Sequence, residues 1–183
     1  MNKSGFVIDN YDDPTQTKLW IYNLHYQNDL AIRDEASTTD QRKRLIVNWI
    51  RYNRDLSGVG WDPYCVSLRL VNWVKWISYN KPKSADYQIL CSMRAQAQSL
   101  SDNVEYHLGA NHLIANAKGL IFAGALFHDS DAEKWLFQGI DLLNKELSEQ
   151  FLSDGAHYEL SPMYQSIILW DLLDLVALTK ISK

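Results

Sequence analysis

The stretch NHLIANAKGLIFAGALF, residues 111–127, decides the fold of this chain of 183 residues. It is long enough for a helix and carries small residues on several faces: Ala115, Ala117, Gly119, Ala123, Gly124 and Ala125. Small side chains let neighbouring helices approach closely from more than one side. The stretch therefore predicts an inner helix that other helices enclose.

Caps and helix breakers divide the chain into seven predicted helices, and no part of it reads as a run of strands. The predicted helices cover residues 14–34, 39–54, 63–79, 84 or 86 to 103, 111–127, 130–151 and 162–179. Cap signals precede three of them: Asp62 before Pro63, a capping box of Ser130 and Glu133, and Ser161 before Pro162. The sequence predicts an all-α fold of stacked helical hairpins, an α/α toroid or part of one, in a single domain over residues 1–183.

The composition is that of an ordinary globular domain, with 46% hydrophobic and 22% charged residues. A net charge of -4 and scattered basic residues predict no nucleic-acid or membrane partner. Cys65 and Cys91 indicate neither a disulfide framework nor a metal site, and we expect both to be buried thiols. The sequence shows no apolar leader and no membrane span, which predicts a soluble protein, cytoplasmic if the chain is complete.

Two polar clusters lie at the predicted starts of helices, one from Glu105 to Asn116 and one from Asp154 to Tyr164. Because helices alternate in direction, the helices that start near 63, 111 and 162 begin at the same end of the domain. We call this end the rim. Helix N-termini carry partial positive charge, so the rim suits an anionic ligand.

Asn111 and His112 are the first candidate site residues. Asn111 is equally well explained as the N-cap of its helix, but Asn and His together at a positive helix end can hold and neutralise a carboxylate. His107 and Glu105 are expected to support them. The candidate metal ligands are Glu105, His107, His112, His128 and His157, yet their spacing matches no metal motif, and we predict neither a metal nor a cofactor.

Tyr164 is the candidate proton-transfer residue, because it lies in the first turn of its helix. An unperturbed tyrosine titrates near pH ~10, so its use as a base requires a neighbouring positive charge. Tyr158 is the competing phenol. Seven Trp and ten Tyr favour a carbohydrate ligand only weakly, since most aromatic side chains pack in cores.

Four blocks, in this order, resemble the helical domain of heparinase II/III-like proteins: Leu19-Trp20-Ile21-Tyr22-Asn23-Leu24-His25-Tyr26, then Trp61-x-Pro63-Tyr64-x-x-Ser67-x-Arg69, then Glu105-x-His107-Leu108-x-x-Asn111-His112, then Asp154-Gly155-x-x-x-Glu159-x-Ser161-Pro162-x-Tyr164. The resemblance runs from about Leu19 to Leu178. That family is similar to uronate polysaccharide lyases, with an α/α toroid followed by a β-sandwich domain. The resemblance implies that Asn111 and His112 neutralise a uronate carboxylate and that Tyr164 is the general base and acid of a β-elimination. The residues expected to line the substrate site are Trp61, Tyr64, Arg69, His107, His157, Tyr158 and Glu159.

Three departures from the family pattern leave alternatives open. The β-sandwich is absent, Gln165 stands where a histidine is expected, and seven helices are few for a closed toroid. The chain is therefore expected to be a lyase-like domain for an acidic polysaccharide or oligosaccharide, incomplete by itself, or a noncatalytic carbohydrate-binding remnant. A glycoside hydrolase would instead use two carboxylates, with Asp62, Asp154 and Glu159 as candidates. Without a covering domain, an apolar patch at the rim favours a homo-oligomer.

Overall fold

The computed structural model describes residues 8, 10–31, 39–80 and 86–181. The α-helices in these ranges are α1 (Lys18–Tyr26), α2 (Thr39–Tyr52), α3 (Pro63–Asn80), α4 (Tyr87–Asp102), α5 (Ala110–Leu126), α6 (Ser130–Gln150) and α7 (Pro162–Ile181). Two short 3-10 helices, Asn28–Ala31 and Val59–Trp61, connect them. No β-strand forms within the described ranges, where one isolated bridge joins Phe151 and His157. The prediction of an all-α helical array is confirmed.

Helix α1 is shorter than the predicted helix over residues 14–34. It ends at Tyr26 because Gln27 adopts a left-handed conformation with φ 51°, and the chain then continues as a 3-10 turn. At its start, the Thr17 hydroxyl accepts a hydrogen bond from the amide of Trp20 at 3.3 Å. Residues 32–34 of the predicted helix lie outside the described residues.

The start of α6 differs from the predicted capping box. The cap is Asp129, whose carboxylate accepts hydrogen bonds from the amides of Asp131 at 3.1 Å and Ala132 at 3.2 Å. Arg94 of α4 binds the same carboxylate. The guanidinium lowers the pKa of Asp129 to about 2, so the cap stays charged at neutral pH. Ser130 is simply the first residue of the helix.

The two cysteines differ in exposure, and the described helices include no candidate membrane span. Cys65 is buried, but Cys91 is exposed on α4, so the prediction of two buried thiols is wrong for Cys91. None of the described helices is both long and apolar enough to cross a bilayer.

Helix α5 is the enclosed helix that its small residues predict. It packs along α6, crosses α3 and also contacts α4 and α7. All its residues from Leu113 to Gly124 are buried. A methyl group on Gly119 would lie only 2.9 Å from the Cα atom of Ser67 on α3, which shows how closely these two backbones approach. On the other side, a methyl group on Gly139 of α6 would lie 2.8 Å from the carbonyl oxygen of Ala117.

Helix α7 is attached to this core by charges. Lys118 of α5 is almost fully buried and donates to Asp171 at 2.8 Å and also to Asp174. Lys75 of α3 donates to Asp174 at 2.6 Å. The side chain of Ile168 is the fully buried apolar contact of α7. The ion pairs thus join α3, α5 and α7 and fix the position of α7.

A buried histidine anchors α1 on the core. The Nδ1 atom of His25 accepts a hydrogen bond from the indole of Trp49 at 3.0 Å, and its Nε2 atom lies 3.1 Å from the carboxylate of Asp12. Burial, reinforced by the positive charge of Arg69, lowers the pKa of His25 to about 4. His25 is therefore neutral in the folded protein at physiological pH.

We expect Gly119→Ala to lower the free energy of unfolding by about 1–3 kcal/mol, because the added methyl group forces α3 and α5 apart. At an unconstrained helical site the same change stabilises by roughly 1 kcal/mol. Urea unfolding monitored by circular dichroism measures the effect. A variant with a raised unfolding midpoint would contradict the close contact.

We expect acid to destabilise the protein through His25. As the pH falls from about 6.5 to 4, the unfolded state binds a proton at this ring and the folded state does not, so stability is lost in this window. The loss between pH 7 and pH 5 should be about 2 kcal/mol. Unfolding of the wild type and of His25→Gln at both pH values measures it, and an equal pH dependence of the two proteins would show that His25 is not responsible.

Candidate functional site

Three predicted site residues from two helices meet at the rim. Tyr64 lies in the first turn of α3, and its ring centroid is 4.6 Å from that of His112 in the first turn of α5. The Asn111 side chain lies within hydrogen-bonding reach of the Tyr64 hydroxyl. We call Tyr64, Asn111 and His112 the rim cluster. Asn111 and His112 are half-buried, so each can reach both the protein and a ligand.

Asn111 is not the N-cap of α5. The cap position belongs to Gly109, which has φ 68° and offers no side chain, and Ala110 follows with φ 50°. These two left-handed residues turn the chain sharply into the helix. Asn111 is already helical, so its amide is not used to cap the helix and points to the Tyr64 side of the rim.

Asn116 supports the rim cluster through hydrogen bonds to Glu105 and Ser67. It is fully buried, accepts a hydrogen bond from the amide of Glu105 at 2.9 Å, and donates to the Ser67 hydroxyl at 3.1 Å and to Glu105 Oε2 at 3.2 Å. The same Glu105 oxygen lies 3.2 Å from His112 Nδ1. Glu105 therefore fixes the His112 ring through Nδ1 and leaves Nε2 directed away from this contact.

Tyr164 is the predicted site residue on α7. It lies in the first turn of α7, half-buried, with its ring centroid 6.5 Å from that of His157. It is close enough to Tyr64 for a charge on Tyr164 to affect the pKa of Tyr64. Burial raises the pKa of Tyr64 first, and the negative charge of Asp171 adds to this effect. Tyr64 is consequently protonated at neutral pH and can act as a hydrogen-bond donor beside Tyr164.

His157 is buried beneath the loop that leads into α7. Gln150 uses its amide nitrogen to donate to the carbonyl oxygen of Ala110 at 2.8 Å and to Glu146 at 2.7 Å, so its oxygen is the acceptor for His157 Nε2 at 3.0 Å. His157 therefore carries its proton on Nε2. Its Nδ1 atom is buried and has no hydrogen-bond partner among the described residues.

Gln165 of α7 fixes the same loop, a role that no sequence pattern predicts. Its oxygen accepts the backbone amide of His157 at 2.6 Å, and its nitrogen donates to the carbonyl oxygen of Gly155 at 3.2 Å. The loop leaves Tyr158 and Glu159 exposed. His107, in the turn before α5, is exposed as well.

Trp61 and Arg69 lie in the core instead of lining the site. The Trp61 indole donates to the carbonyl oxygen of Asn53 at 3.1 Å and packs on Trp49. Arg69 is fully buried, with its guanidinium 3.7 Å from the Trp49 ring centroid, and it donates to Gln96 at 2.8 Å. Burial lowers the pKa of Arg69 to about 9. Arg69 is fully buried and Trp61 is 8% exposed, so neither offers the broad surface that the expected ligand contacts would need.

Asp62 and Asp154, two of the carboxylates that a hydrolase would use, each accept a hydrogen bond within the protein. Asp62 accepts a hydrogen bond from the Tyr22 hydroxyl, and Asp154 accepts the amide of Ala156 at 2.9 Å within its own turn. Across the described residues, no three His, Cys, Asp or Glu side chains converge on a point that could hold a metal ion.

Comparison with known proteins identifies the family. A model of the heparinase II/III N-terminus matches residues 47–183. The chain belongs to the heparinase II/III family. It is similar to the heparin-sulfate lyase of Bacteroides thetaiotaomicron, with 32% identity over 144 residues that make up 73% of this chain and 20% of the relative. No solved structure shows a significant match.

Two shorter matches point the same way. The heparin-sulfate lyase of Bacteroides stercoris is 40% identical over 60 residues, or 32% of this chain and 9% of the relative. That of Pedobacter heparinus is 37% identical over 78 residues, or 42% of this chain and 12% of the relative. The chain thus spans about a fifth or less of the length of these relatives and corresponds to a polysaccharide lyase-like helical region.

We expect Asn116→Ala to lower the free energy of unfolding by about 2–4 kcal/mol, because it leaves the buried backbone amide of Glu105 without a partner and removes one of the two hydrogen bonds to Glu105 Oε2. Hydrogen exchange should also accelerate in residues 105–112, which the Asn116 side chain holds. The matched control is Asn103→Ala: the Asn103 side chain is exposed and bonds only its own helix, so about 1 kcal/mol or less is expected. Similar effects of the two variants would rule out the supporting role of Asn116.

Proposed function

We propose that the rim is a substrate site at which this protein cleaves a uronate-containing acidic polysaccharide by β-elimination. The observation that carries the proposal is the contact of Tyr64 with Asn111 and His112 at the first turns of α3 and α5, with Tyr164 in the first turn of α7 near enough to affect the pKa of Tyr64. A uronate carboxylate is an anion, and helix N-termini with amide and imidazole donors favour anions. The similarity to heparin-sulfate lyases supports the same class of substrate.

Neutralising the carboxylate is the first requirement of the reaction. In the proposed complex, the Asn111 amide donates to a carboxylate oxygen, while Glu105 accepts a hydrogen bond from His112 Nδ1 and keeps the ring oriented. His112 Nε2 donates a second hydrogen bond to the substrate when both ring nitrogens carry protons. This withdraws negative charge from the sugar and makes the proton on C5 more acidic. Donors held in place before the substrate arrives contribute more than donors that must reorganise.

Tyr164 is assigned the proton transfer. Its phenolate removes the proton from C5, the electrons of that C–H bond form the C4=C5 double bond, and the C4–O bond breaks. The departing oxygen takes the proton back from Tyr164, so the enzyme is regenerated and an unsaturated uronate is left. Tyr164 is placed for this role in the first turn of α7, at the N-terminal end of that helix.

The exposed residues around the rim cluster are assigned to the neighbouring sugars. Tyr158 offers a ring face, and Glu159 and His107 offer polar groups at the surface. Sugar rings stack on aromatic faces of this kind. The buried His157 is assigned to shaping the loop beneath Tyr158 and Tyr164, because its ring and backbone are held by Gln150 and Gln165.

The proposed site would belong to a larger helical architecture. We assign α1 to α7 to one helical domain, part of an α/α toroid, and expect a full lyase to add the segments present in its longer relatives. A hydrolase mechanism is not proposed, because Asp62 is held by Tyr22 while Asp154 and Glu159 lie in an exposed loop. A carbohydrate-binding role without catalysis would need the same rim cluster and is distinguished by the experiment below.

We expect Tyr164→Phe to abolish elimination while leaving binding and stability nearly unchanged. The variant keeps the ring and removes only the hydroxyl, so activity should fall at least 100-fold and stability should change by about 1 kcal/mol or less. Heparan sulfate and an unsulfated uronate polymer are the substrates, tested on the longest natural form that contains this chain. Product is followed by the ultraviolet absorbance of the unsaturated uronate, and binding by calorimetry.

Matched variants separate the assigned roles. Asn111→Ala should weaken binding of the uronate polymer as well as elimination, whereas Tyr158→Phe should retain activity. Full activity of Tyr164→Phe with loss in Tyr158→Phe would move the base to Tyr158. Binding without any unsaturated product in the wild type would support a carbohydrate-binding domain, and the absence of both would exclude the proposed site.

A further inference from the structure

The elimination assigned to Tyr164 starts from a phenolate, so the phenol must first give its proton to another group. An unperturbed tyrosine titrates near pH ~10, and such a phenol is almost entirely protonated at neutral pH. A suitable proton acceptor has a free lone pair, lies close to the phenol and is held in one orientation. The Nδ1 atom of His157 has these properties.

Gln150 determines which nitrogen of His157 carries the proton. Its amide nitrogen donates to the carbonyl oxygen of Ala110 at 2.8 Å and to Glu146 Oε2 at 2.7 Å, so both of its hydrogens are used. Its oxygen therefore faces His157 Nε2 at 3.0 Å and accepts the proton of that nitrogen. A neutral imidazole has one protonated nitrogen, so Nδ1 keeps a free lone pair.

The lone pair of His157 Nδ1 is buried and unused. His157 is 1% exposed, and its Nδ1 atom has no hydrogen-bond partner among the described residues. The backbone is fixed on both sides of the ring: the amide of His157 donates to Gln165 at 2.6 Å, and its carbonyl oxygen accepts the amide of Leu160 at 2.9 Å. Leaving a buried acceptor without a partner is costly, and a role in proton transfer is one of the few reasons for which proteins retain such a group.

Tyr164 is the neighbour that fits this lone pair. The rings of Phe151, Tyr158 and Tyr164 pack around the imidazole. Phe151 has no hydroxyl, and the Tyr158 centroid, at 4.8 Å, is too close for an end-on hydrogen bond. The Tyr164 centroid lies at 6.5 Å, within the roughly 6–7 Å that a phenol and an imidazole span when one hydrogen bond joins them. This bond is not formed in the present structure, and catalytic hydrogen bonds often tighten only when substrate binds.

Glu146 supplies a counter-charge for a proton on His157. Its carboxylate is buried, 3% exposed, and is connected to the imidazole through the Gln150 amide. A positive charge on the imidazole is therefore stabilised by a carboxylate two hydrogen bonds away. The titratable groups on the elements packed against this ring are Glu146 on α6, Asp154, Tyr158 and Glu159 in the loop, and Tyr164 on α7.

We propose that His157 activates Tyr164 by taking the phenolic proton on Nδ1, directly or through one bridging water. The O–H bond of Tyr164 breaks and its electron pair stays on the phenolate. A new N–H bond forms on the imidazole, whose Nε2 proton remains bound to Gln150. The phenolate then exchanges the C5 proton with the leaving oxygen as described above, and Nδ1 holds its own proton throughout the turnover. His157 thus acts through Tyr164 without touching the sugar, a role that rests on the proposed lyase function.

His157→Gln separates this proton transfer from support of the loop. A glutamine amide can replace the Nε2 donor to Gln150, but it has no base at the Nδ1 position. In the longest natural form that contains this chain, kcat for the uronate polymer at neutral pH should fall about 100-fold, with KM changed by about twofold or less. The loss should shrink as the pH rises towards ~10, where hydroxide takes the phenolic proton. Circular dichroism verifies that the variant is folded.

Gln165→Ala is the matched control for a purely structural effect. It releases the backbone of His157 but leaves the imidazole in place, so the melting temperature should fall while the pH profile of kcat stays that of the wild type. An equal upward shift of the pH profile in Gln165→Ala would show that loop support explains the effect and would overturn the proton transfer.

The tautomer of His157 is tested independently of activity. In the wild type labelled with nitrogen-labelled histidine, NMR at neutral pH should show a proton on Nε2 and a bare Nδ1, and a proton on Nδ1 would overturn the inference. Elimination by the wild type with the same pH profile in His157→Gln would also overturn it but leave the proposed function standing. A wild type that produces no unsaturated uronate would overturn both. A shifted pH profile in Tyr158→Phe would assign the transferred proton to Tyr158 and overturn the pairing with Tyr164.

Discussion

The contact between α3 and α5 is the constraint on which the other parts of the structure depend. Gly119 brings the two backbones together at Ser67, and one turn away Asn116 bonds both Ser67 and Glu105. The first turns of both helices are therefore fixed relative to each other. Tyr64 lies about one turn before Ser67, and His112 one turn before Asn116. The rim cluster is thus a direct continuation of core packing.

Helix α7 depends on a different kind of force. Apolar burial holds α5 among its neighbours, whereas α7 adds ion pairs to its apolar contacts: Lys118 and Lys75 bind Asp171 and Asp174, beside the buried Ile168 and the partly buried Leu175 and Leu178. Burying charges is costly, and removing one member of a buried pair typically costs about 3–5 kcal/mol because the other is left without compensation. Such pairs specify one position of the helix more sharply than apolar contacts, which tolerate sliding. Tyr164 lies in the first turn of α7, so the contacts that fix this helix also fix the position of Tyr164.

The sequence predicted much of the fold and the end of the domain at which the rim cluster lies. Small residues identified α5 as the enclosed helix, and the alternation of helix direction brought the starts of α3, α5 and α7 together. Direction does not give rotation about the helix axis, however. Trp61 and Arg69 lie towards the rim, but their side chains point into the core, where both pack on Trp49. Rotation is set by contacts between distant segments, which one helical pattern does not encode.

The same limit explains the misassigned local signals. Asn111 and Ser130 are good cap residues, yet each cap position belongs to another residue. Gly109 precedes α5 with φ 68°, and the Asp129 carboxylate accepts the first amides of α6. In α7, apolar residues surround the helix, so periodicity could not tell the inner face from the outer one. The charged partners on α3 and α5 decide that question. Only the folded chain brings those partners into range.

The close packing around α5 limits the substitutions that this domain can accept. Gly119 and Gly139 leave no room for larger side chains between α5 and its neighbours, so substitutions in this core cannot widen or narrow the spacing of α3, α5 and α6 by small steps. The exposed side chains of the loops over residues 103–109 and 151–161 carry no such restriction, whereas Glu105 and His157 in the same loops are buried and hydrogen-bonded. Under the proposed function, ligand preference would therefore change through the exposed loop side chains, while the helices keep the spacing of the rim cluster.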